Sequence, residues 1–257
     1  MITDLEALSA MRRSERALGE QVAQWEPLDY GVAFCSTAFP TLGEANQLRE
    51  VWLADQDGET VYTRAESYYR ERRLTCCRWV PIAAQPLEPM EALLLPKGWR
   101  RRDLAVVKLK DLELSHAPLN AAIRILPARA MPKAFHQTFA GDGDLAAARA
   151  GLALERLNDS NYDVFVAMLD NHPAGRIGYL EVGDIARLAD VFVLPEFRRR
   201  GVGAAMAAHF LRLVRRLLPR AVVACTDAEN PAGLDFLRRC GFLTAGTLPE
   251  FERPSSG

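Results

Sequence analysis

The stretch of this sequence best suited to binding chemistry is a turn between two apolar segments. It consists of Arg198, Arg199, Arg200, Gly201, Val202, Gly203 and Ala204. An apolar run typical of a strand ends before it at Leu194-Pro195, and a segment with helical periodicity follows it. Backbone N–H groups at a helix N-terminus have no intrahelical partner, and the helix dipole adds partial positive charge there. Three cations and two glycines at this point therefore indicate an anion site, and we expect a ligand that carries pyrophosphate.

The elements that position this turn can be predicted from the pattern around it. After the turn, apolar residues recur at helical spacing at Met206, Phe210, Leu213 and Leu217. Ala221 to Cys225 is typical of a buried strand, Pro231 opens another helix and Gly241 closes it. Two strands in hairpin register, Val164–Leu169 and 177–182, are separated by a turn at 170–175. The C-terminal half therefore predicts the order β-α-β-β-β-α-β-α-β.

The N-terminal half also alternates between helix and strand signals. Thr3 and Glu6 form a capping box for a first helix that ends before Pro27. Further predicted segments are helices at 42–53 and 90–95 and strands at 31–34, 73–80 and 104–109. The pattern lapses around Ser115 to Asn120, where proline and small polar residues separate the two halves. We therefore predict two domains, residues 1–117 and 118–257.

Composition excludes several classes of protein. The chain has 257 residues, a net charge of −1 and 49% hydrophobic residues, so no global field favours nucleic acid or an anionic membrane. No apolar run reaches the ~18 residues of a membrane span, and the N-terminus does not resemble a secretory signal. The five cysteines have no spacing typical of zinc or of a disulfide framework. We expect a cytoplasmic protein without a metal, in which Cys225 and Cys240 are small core residues.

Two motifs resemble those of one family. Arg198-x-x-Gly201-x-Gly203, after a strand and before a helix, is similar to the acyl-CoA signature Q/R-x-x-G-x-G/A of the GNAT-superfamily N-acetyltransferases. Asn230, a helix and then Gly241-Phe242 resemble that family's N-x(10)-G-F segment. A dinucleotide fingerprint is the rival interpretation, but its third glycine position is Met206. The resemblance covers residues 122 to the end.

The resemblance implies a fold class for each half. For residues 118–257 it is an α/β (α+β) fold with a mixed, mostly antiparallel sheet flanked by helices. Residues 1–117, the second and smaller α/β domain, faintly resemble the degenerate first domain of tandem GNAT proteins. They contain no Arg-x-x-Gly-x-Gly motif. The alternative is an unrelated α+β domain that stabilises its neighbour.

The resemblance also implies site roles and a co-substrate, acetyl-CoA. The turn at 198–204 would bind its pyrophosphate. Main-chain groups of Val191, Phe192 and Val193 would pair with the pantetheine arm, with the Val193 N–H near the thioester carbonyl. Asn230 falls where the family contacts the same arm, and Phe135, His136 and Phe139 fall in a loop where the family shapes its acceptor pocket; plain packing is the other explanation for these three.

Two positions depart from the family pattern. Leu237 stands where many members of the family have a tyrosine that acts as the general acid. Either another donor or water protonates the leaving thiolate, or the thiolate leaves unprotonated. The family's glutamate base is also missing from the strand before the turn, and Asp190 is the candidate base because an amine must lose a proton. The alternative for Asp190 is a structural carboxylate paired with an arginine such as Arg187.

These observations predict an acyl-CoA-dependent N-acyltransferase. It would move an acetyl group from acetyl-CoA to a primary amine, on a small molecule or a peptide, by direct attack in a ternary complex. The alternatives are a non-catalytic acyl-CoA sensor and an acyltransferase that uses another acyl-CoA. The sequence leaves open whether the chain forms a homodimer.

Overall fold

The structure is a computed structural model that describes residues 2–53, 56–83, 85–110, 120–141 and 143–254. The chain divides into two compact units. Unit 1 comprises residues 1–17 and 105–247, and unit 2 comprises residues 18–104 and 248–257. The domain boundary predicted between residues 117 and 118 lies outside the described residues and stays a prediction.

Helices and strands follow one another along most of the chain. In chain order they are α1 (Asp4–Glu20), β1 (Gln24–Leu28), β2 (Gly31–Cys35), β3 (Gln47–Val51), α2 (Gly58–Glu71), β4 (Arg78–Pro81), α3 (Glu88–Leu94), β5 (Arg100–Leu109), β6 (Ile123–Pro127), α4 (Pro132–Gln137), α5 (Ala146–Arg156), β7 (Tyr162–Leu169), β8 (His172–Val182), β9 (Ile185–Val193), α6 (Val202–Leu217), β10 (Ala221–Asp227), α7 (Pro231–Arg239) and β11 (Phe242–Glu252). No helix in the described part of the chain is both long and apolar enough to span a membrane.

Unit 1 is built on a mostly antiparallel sheet. Its strands lie in the order β11-β5-β10-β9-β8-β7-β6, with residues 242–247 of β11 and 105–109 of β5. The neighbours β6, β7, β8 and β9 pair antiparallel, and β10 pairs parallel with β9. Met206 and Phe210 of α6 and Leu188 of β9 are buried in the same core cluster of this unit. The α/β fold class predicted from the sequence is confirmed.

Most of the elements predicted in the C-terminal half are present, with two corrections. The β7–β8 turn is the pair Asp170-Asn171, whose φ angles of 53° and 65° suit a tight hairpin, so β8 begins at His172 and not after Gly175. Phe135 and His136 belong to helix α4 and not to a loop. The capping box is confirmed: Thr3 N–H donates to Glu6 Oε2 at 2.8 Å, and Glu6 N–H donates to Thr3 Oγ1 at 3.2 Å.

Unit 2 has its own core, in which Trp79, Tyr69 and Leu48 are fully buried. The helix predicted at 42–53 is wrong, because β3 occupies 47–51. Asn46 explains the break. Its side chain accepts from Ser36 N–H at 3.0 Å and donates to Phe39 O at 2.7 Å, which closes a turn directly before the strand. The strand predicted at 73–80 begins later, at Arg78, after the unpredicted helix α2.

The two units share an order of elements but differ where a ligand could enter. In unit 2, β3-α2-β4-α3-β5 repeats the order β9-α6-β10-α7-β11 of unit 1, and β3 and β4 are also parallel. Their pairing continues to Val51 and Pro81, and Ile82 N–H donates to Val51 O at 3.1 Å. At the start of α2, the Asp57 carboxylate accepts from Thr60 N–H at 3.1 Å. The Asp57 carboxylate thus occupies the N-terminus of α2, where the anion of a ligand would otherwise bind.

Candidate functional site

The turn at residues 198–204, which we call the anion cradle, connects β9 to α6 through one 3-10 turn at Pro195–Phe197. Gly201 is the N-cap of α6 with φ of 87°, a left-handed conformation that favours glycine. The first N–H groups of α6 have no acceptor within the helix. Gly203 leaves room in front of them, since a Cβ there would lie 3.2 Å from the ring of Phe236. The cradle therefore presents backbone donors and the positive end of a helix dipole.

The three arginines of the cradle point in different directions. Arg198 and Arg199 line a cavity of about 740 Å³ beside the cradle, together with Gly201, Val202, Gly203 and Ala204. The Arg198 Nε–H donates to the Val193 carbonyl at 3.2 Å. Arg200 lies outside the cavity lining, and its guanidinium pairs with Asp170 at 3.0 Å. The structure thus brings two of the three cations to the cavity.

The cavity exists because β9 and β10 separate. Their parallel pairing runs from Ile185 and Ala221 to Leu188 and Ala224 and then stops. Beyond that point, residues 189–193 of β9 and 224–226 of β10 line the cavity. We call this space the strand gap. The side of β9 that faced β10 is therefore available for a ligand, while its other side stays paired with β8.

The predicted donor at Val193 faces the strand gap. Leu194 donates its N–H to Ala174 O at 3.0 Å, on the side toward β8. Successive residues of a strand turn their N–H groups to opposite sides, so the Val193 N–H faces away from β8. Val191, Phe192 and Val193 all line the gap. An oxygen in the gap could therefore accept a hydrogen bond from Val193.

Asp190 lies in a bulge of β9. Its φ of 48° is left-handed, and the register with β8 shifts beside it. The carboxylate lines the strand gap and is 24% exposed. It accepts a hydrogen bond from the Tyr162 hydroxyl, and the Arg176 Nε lies 4.0 Å from its Oδ1. Burial, and then the negative charge of Asp190, raise the pKa of Tyr162 well above its usual range, so this hydroxyl stays a donor.

Arg176 contacts three groups besides Asp190. It donates to Thr138 O at 2.5 Å, and its guanidinium carbon lies 3.7 Å from the centre of the Phe139 ring and 4.9 Å from that of Phe192. Tyr162 and Arg176 were not predicted as site residues, because each is far in sequence from the cradle. The Arg187 pairing considered for Asp190 is replaced by this Tyr162 and Arg176 environment.

Arg187 instead pairs with a residue of the first helix. Its Nη2 donates to Glu15 Oε1, and its Nη1 donates to the Ser14 hydroxyl at 3.3 Å. Burial alone would lower the pKa of Arg187, but the Glu15 carboxylate raises it above its ordinary value, so the guanidinium stays charged. Arg187 lines the strand gap at its closed end. No sequence signal marks Glu15, since α1 has the pattern of an ordinary amphipathic helix.

Cys225 is the first residue of β10 beyond the last pair with β9. It is half-buried and lines the strand gap, so the prediction of a small core residue is wrong. Its Sγ accepts from Arg187 Nη2 at 3.7 Å and lies 4.0 Å from Glu15 Oε1. The strand is buried as predicted up to Ala224, and the separation from β9 exposes the next side chain.

Asn230 lines the gap as the N-cap of α7. Its Oδ1 accepts from Gly233 N–H at 3.0 Å and its Nδ2 donates to Thr226 Oγ1 at 3.2 Å. Leu237, at the position of the expected acid, lines the same gap and is 4% exposed. Among the described residues, no group of three or more His, Cys, Asp or Glu side chains is placed to hold a metal ion.

The comparisons with known proteins agree with this geometry. The model of the acetyltransferase (GNAT) family matches residues 128–242, which include the anion cradle and the strand gap. These residues form a GNAT-family acetyltransferase domain. An uncharacterized N-acetyltransferase of Methanocaldococcus jannaschii is 28% identical over 85 residues, which are 30% of this chain and 38% of that protein. The match thus spans less than two fifths of that relative's length.

Solved structures resemble this chain over most of its length. A functionally unknown conserved protein of Staphylococcus epidermidis has a TM-score of 0.70 at 15% identity, over 90% of this chain and 94% of that one. A GCN5-related N-acetyltransferase of Kribbella flavida has a TM-score of 0.60 at 15% identity, over 96% of each chain. A GCN5-related N-acetyltransferase of Sphaerobacter thermophilus has a TM-score of 0.58 at 17% identity, over 89% of this chain and 84% of that one. The likeness of the fold therefore extends beyond the GNAT domain.

Proposed function

We propose that this protein transfers the acetyl group of acetyl-CoA to a primary amine, by direct attack in a ternary complex. One observation carries the proposal: one continuous cavity contains both the anion cradle and the stretch of β9 beyond Leu188 that no longer pairs with β10. A pyrophosphate fits the cradle, because backbone N–H groups, Arg198 and Arg199 surround it. A pantetheine arm fits the gap, because its amides can pair with β9 as a missing strand would.

The attack and the proton transfer each have a group in the gap. The amine nitrogen attacks the thioester carbonyl, and a main-chain N–H of β9 that faces the gap near Asp190 stabilises the charge that develops on its oxygen, while the Val193 N–H, closer to the cradle, pairs with the pantetheine arm. Asp190 accepts the amine proton, directly or through water. The C–S bond then breaks, and CoA leaves as a thiolate. Leu237 offers no proton at this point, but a thiol of pKa near 8.5 tolerates leaving unprotonated. Holding both substrates in place supplies much of the rate.

The acceptor is proposed as a small-molecule or peptide amine. CoA release from acetyl-CoA across a panel of amines and peptides tests the function. Turnover with one class of acceptor supports the proposal. Tight CoA binding without turnover for any acceptor would favour an acyl-CoA sensor, the alternative that Leu237 and the lack of a strand glutamate keep open. Turnover with a longer acyl-CoA in place of acetyl-CoA would reassign the donor.

A variant of the cradle separates binding from folding. Gly203→Glu places a carboxylate where the pyrophosphate would bind, and we expect it to abolish CoA binding. A Cβ at this position would lie 3.2 Å from the Phe236 ring, which must shift slightly, while an acidic residue in the first turn suits the helix dipole, so we expect only a small decrease in the thermal midpoint. Arg212→Glu, on the exposed middle of α6, is the matched control and should bind CoA. CoA binding by Gly203→Glu would disprove the cradle assignment.

A further inference from the structure

The closed end of the strand gap is where the thiol of a bound CoA would lie; this rests on the proposed function. The cradle adjoins the C-terminal end of β9, and the gap closes at Leu188 and Ala224. From Val193 back to Ala189 the strand spans four residues, about 13 Å at ~3.3 Å per residue. With pyrophosphate in the cradle, the arm runs along this stretch and its sulfur end reaches the closed end.

Cys225 lies at this closed end, next to a permanent cation. The Arg187 Nη2 donates to Cys225 Sγ at 3.7 Å, and a nearby guanidinium favours the thiolate, which is the reactive form of cysteine. Glu15 Oε1, 4.0 Å from the same sulfur, can accept the thiol proton. The cavity provides access, because Cys225 is part of its lining.

A second observation at the same place points to a ligand. The side chain of Arg187 is 9% exposed and lines the gap. Its Nη1 and Nη2 have partners, but its buried Nε has no hydrogen-bond partner among the described residues. A buried donor without an acceptor is costly, so an acceptor atom of a bound molecule is expected near the closed end.

The other four cysteines lack this setting. None of them lines the strand gap. Burial raises the pKa of Cys35 and of Cys240 to about 11, and that of Cys76 to about 12. Burial also raises the pKa of Cys77. Cys225 differs from all four because it lines the gap and its sulfur accepts a hydrogen bond from a guanidinium.

We propose that Cys225 is a redox modification site that forms a mixed disulfide with CoA bound in the strand gap. A hydroperoxide oxidises the Cys225 thiol to a sulfenic acid, and the peroxide is reduced, with hydrogen peroxide giving one water. The CoA thiol then attacks the sulfenic sulfur, an S–S bond forms and the sulfenic oxygen leaves as a second water. The adduct keeps the gap filled, so acetyl-CoA is excluded and transfer stops. A dithiol reductant reverses the adduct by disulfide exchange.

The test uses the full chain, CoA and hydrogen peroxide. CoA binding is measured first for each variant, and the protein saturated with CoA is then oxidised and examined by intact mass and peptide mapping. We expect one CoA per chain on Cys225, lost on treatment with dithiothreitol. Cys240→Ser, a half-buried thiol outside the gap, is the matched control and should take up CoA like the wild type. Cys225→Ser and Cys225→Ala should take up none.

Two further experiments test whether CoA binding in the cradle directs the reaction to Cys225. In the first, CoA and glutathione are present at equal concentration. Because the cradle binds CoA, the CoA adduct should exceed the glutathione adduct by ~10-fold or more. With Gly203→Glu this preference should disappear. Wild-type protein that binds CoA but forms no adduct, or an adduct that persists in both Cys225 variants, overturns the proposal while the proposed function stands. Wild-type protein that fails to bind CoA overturns both.

Discussion

Leu188 of β9 and Ala224 of β10 are the last two residues that these parallel strands pair. Up to this pair the strands form a continuous buried sheet, and beyond it they separate. Asp190, Val193 and Cys225 all line the gap that results. The corresponding strands of unit 2 shift register after Leu48 and pair again at Val51 and Pro81, so among the described residues they do not separate as β9 and β10 do.

The cradle arginines should differ in their contribution to CoA binding. Arg198 lines the cavity, whereas Arg200 pairs with Asp170 outside it. We expect Arg198→Ala to weaken CoA binding about 10-fold or more, since a hydrogen bond to a charged group contributes ~1.5–3 kcal/mol. Arg200→Ala, the matched control, should change it less than about 2-fold. Calorimetric titration with CoA measures both, and equal effects would contradict this assignment.

Asp190→Asn should slow acetyl transfer without loss of CoA binding. Removing a general base costs about 100-fold or more at neutral pH, and part of the rate should return at high pH, where the amine is already deprotonated. Asp184→Asn, a carboxylate on the turn before β9, is the control. The measurement is the pH profile of kcat/KM for both variants. A profile of Asp190→Asn that matches the wild type would remove Asp190 as the base.

Asn230 should stabilise the fold by capping the N-terminus of α7. Its Oδ1 caps the helix at Gly233 and its Nδ2 holds Thr226. We expect Asn230→Ala to lower the free energy of unfolding by about 1 kcal/mol, the usual effect of losing an N-cap. Asn230→Asp keeps the cap and should restore most of this stability. Chemical denaturation of the three proteins checks the order, and an Asp variant as unstable as the Ala variant would contradict the capping role.

His209 should make the fold less stable in acid. Burial, and then the charges of Arg212 and Arg216, lower the pKa of His209, whose ring packs 4.4 Å from that of Phe165. The unfolded chain protonates this histidine near pH ~6.5, so the unfolded state binds more protons as the pH falls and stability decreases below that value. His209→Gln should therefore lose less thermal stability between about pH 8 and about pH 5.

His172, exposed at the start of β8, provides the control for this measurement. The variant His172→Gln should follow the wild type over the same pH range. If His209→Gln loses as much stability in acid as the wild type, another group causes the acid sensitivity.

Local sequence signals predicted those parts of the site that residues adjacent in the chain form. Gly201 fits the cradle because its left-handed φ is a property of one turn, and Pro231 and Asn230 begin α7 by local capping. The same logic failed at residues 42–53, where apolar residues at helical spacing belong to a strand. There the side chain of Asn46 closes a turn through contacts with Ser36 and Phe39, and residue spacing alone carries no trace of them.

The residues from Leu194 to Ala204 are enough to predict an anion cradle between a strand and a helix, since helix termini and glycine turns depend on residues next to one another. The space that the cradle faces depends on tertiary packing. The separation of β9 and β10 brings Cys225 into the gap, and packing places Tyr162 on Asp190 and Glu15 on Arg187. These pairs join residues far apart in the chain, and their contacts depend on sheet register and helix packing, which no single segment encodes.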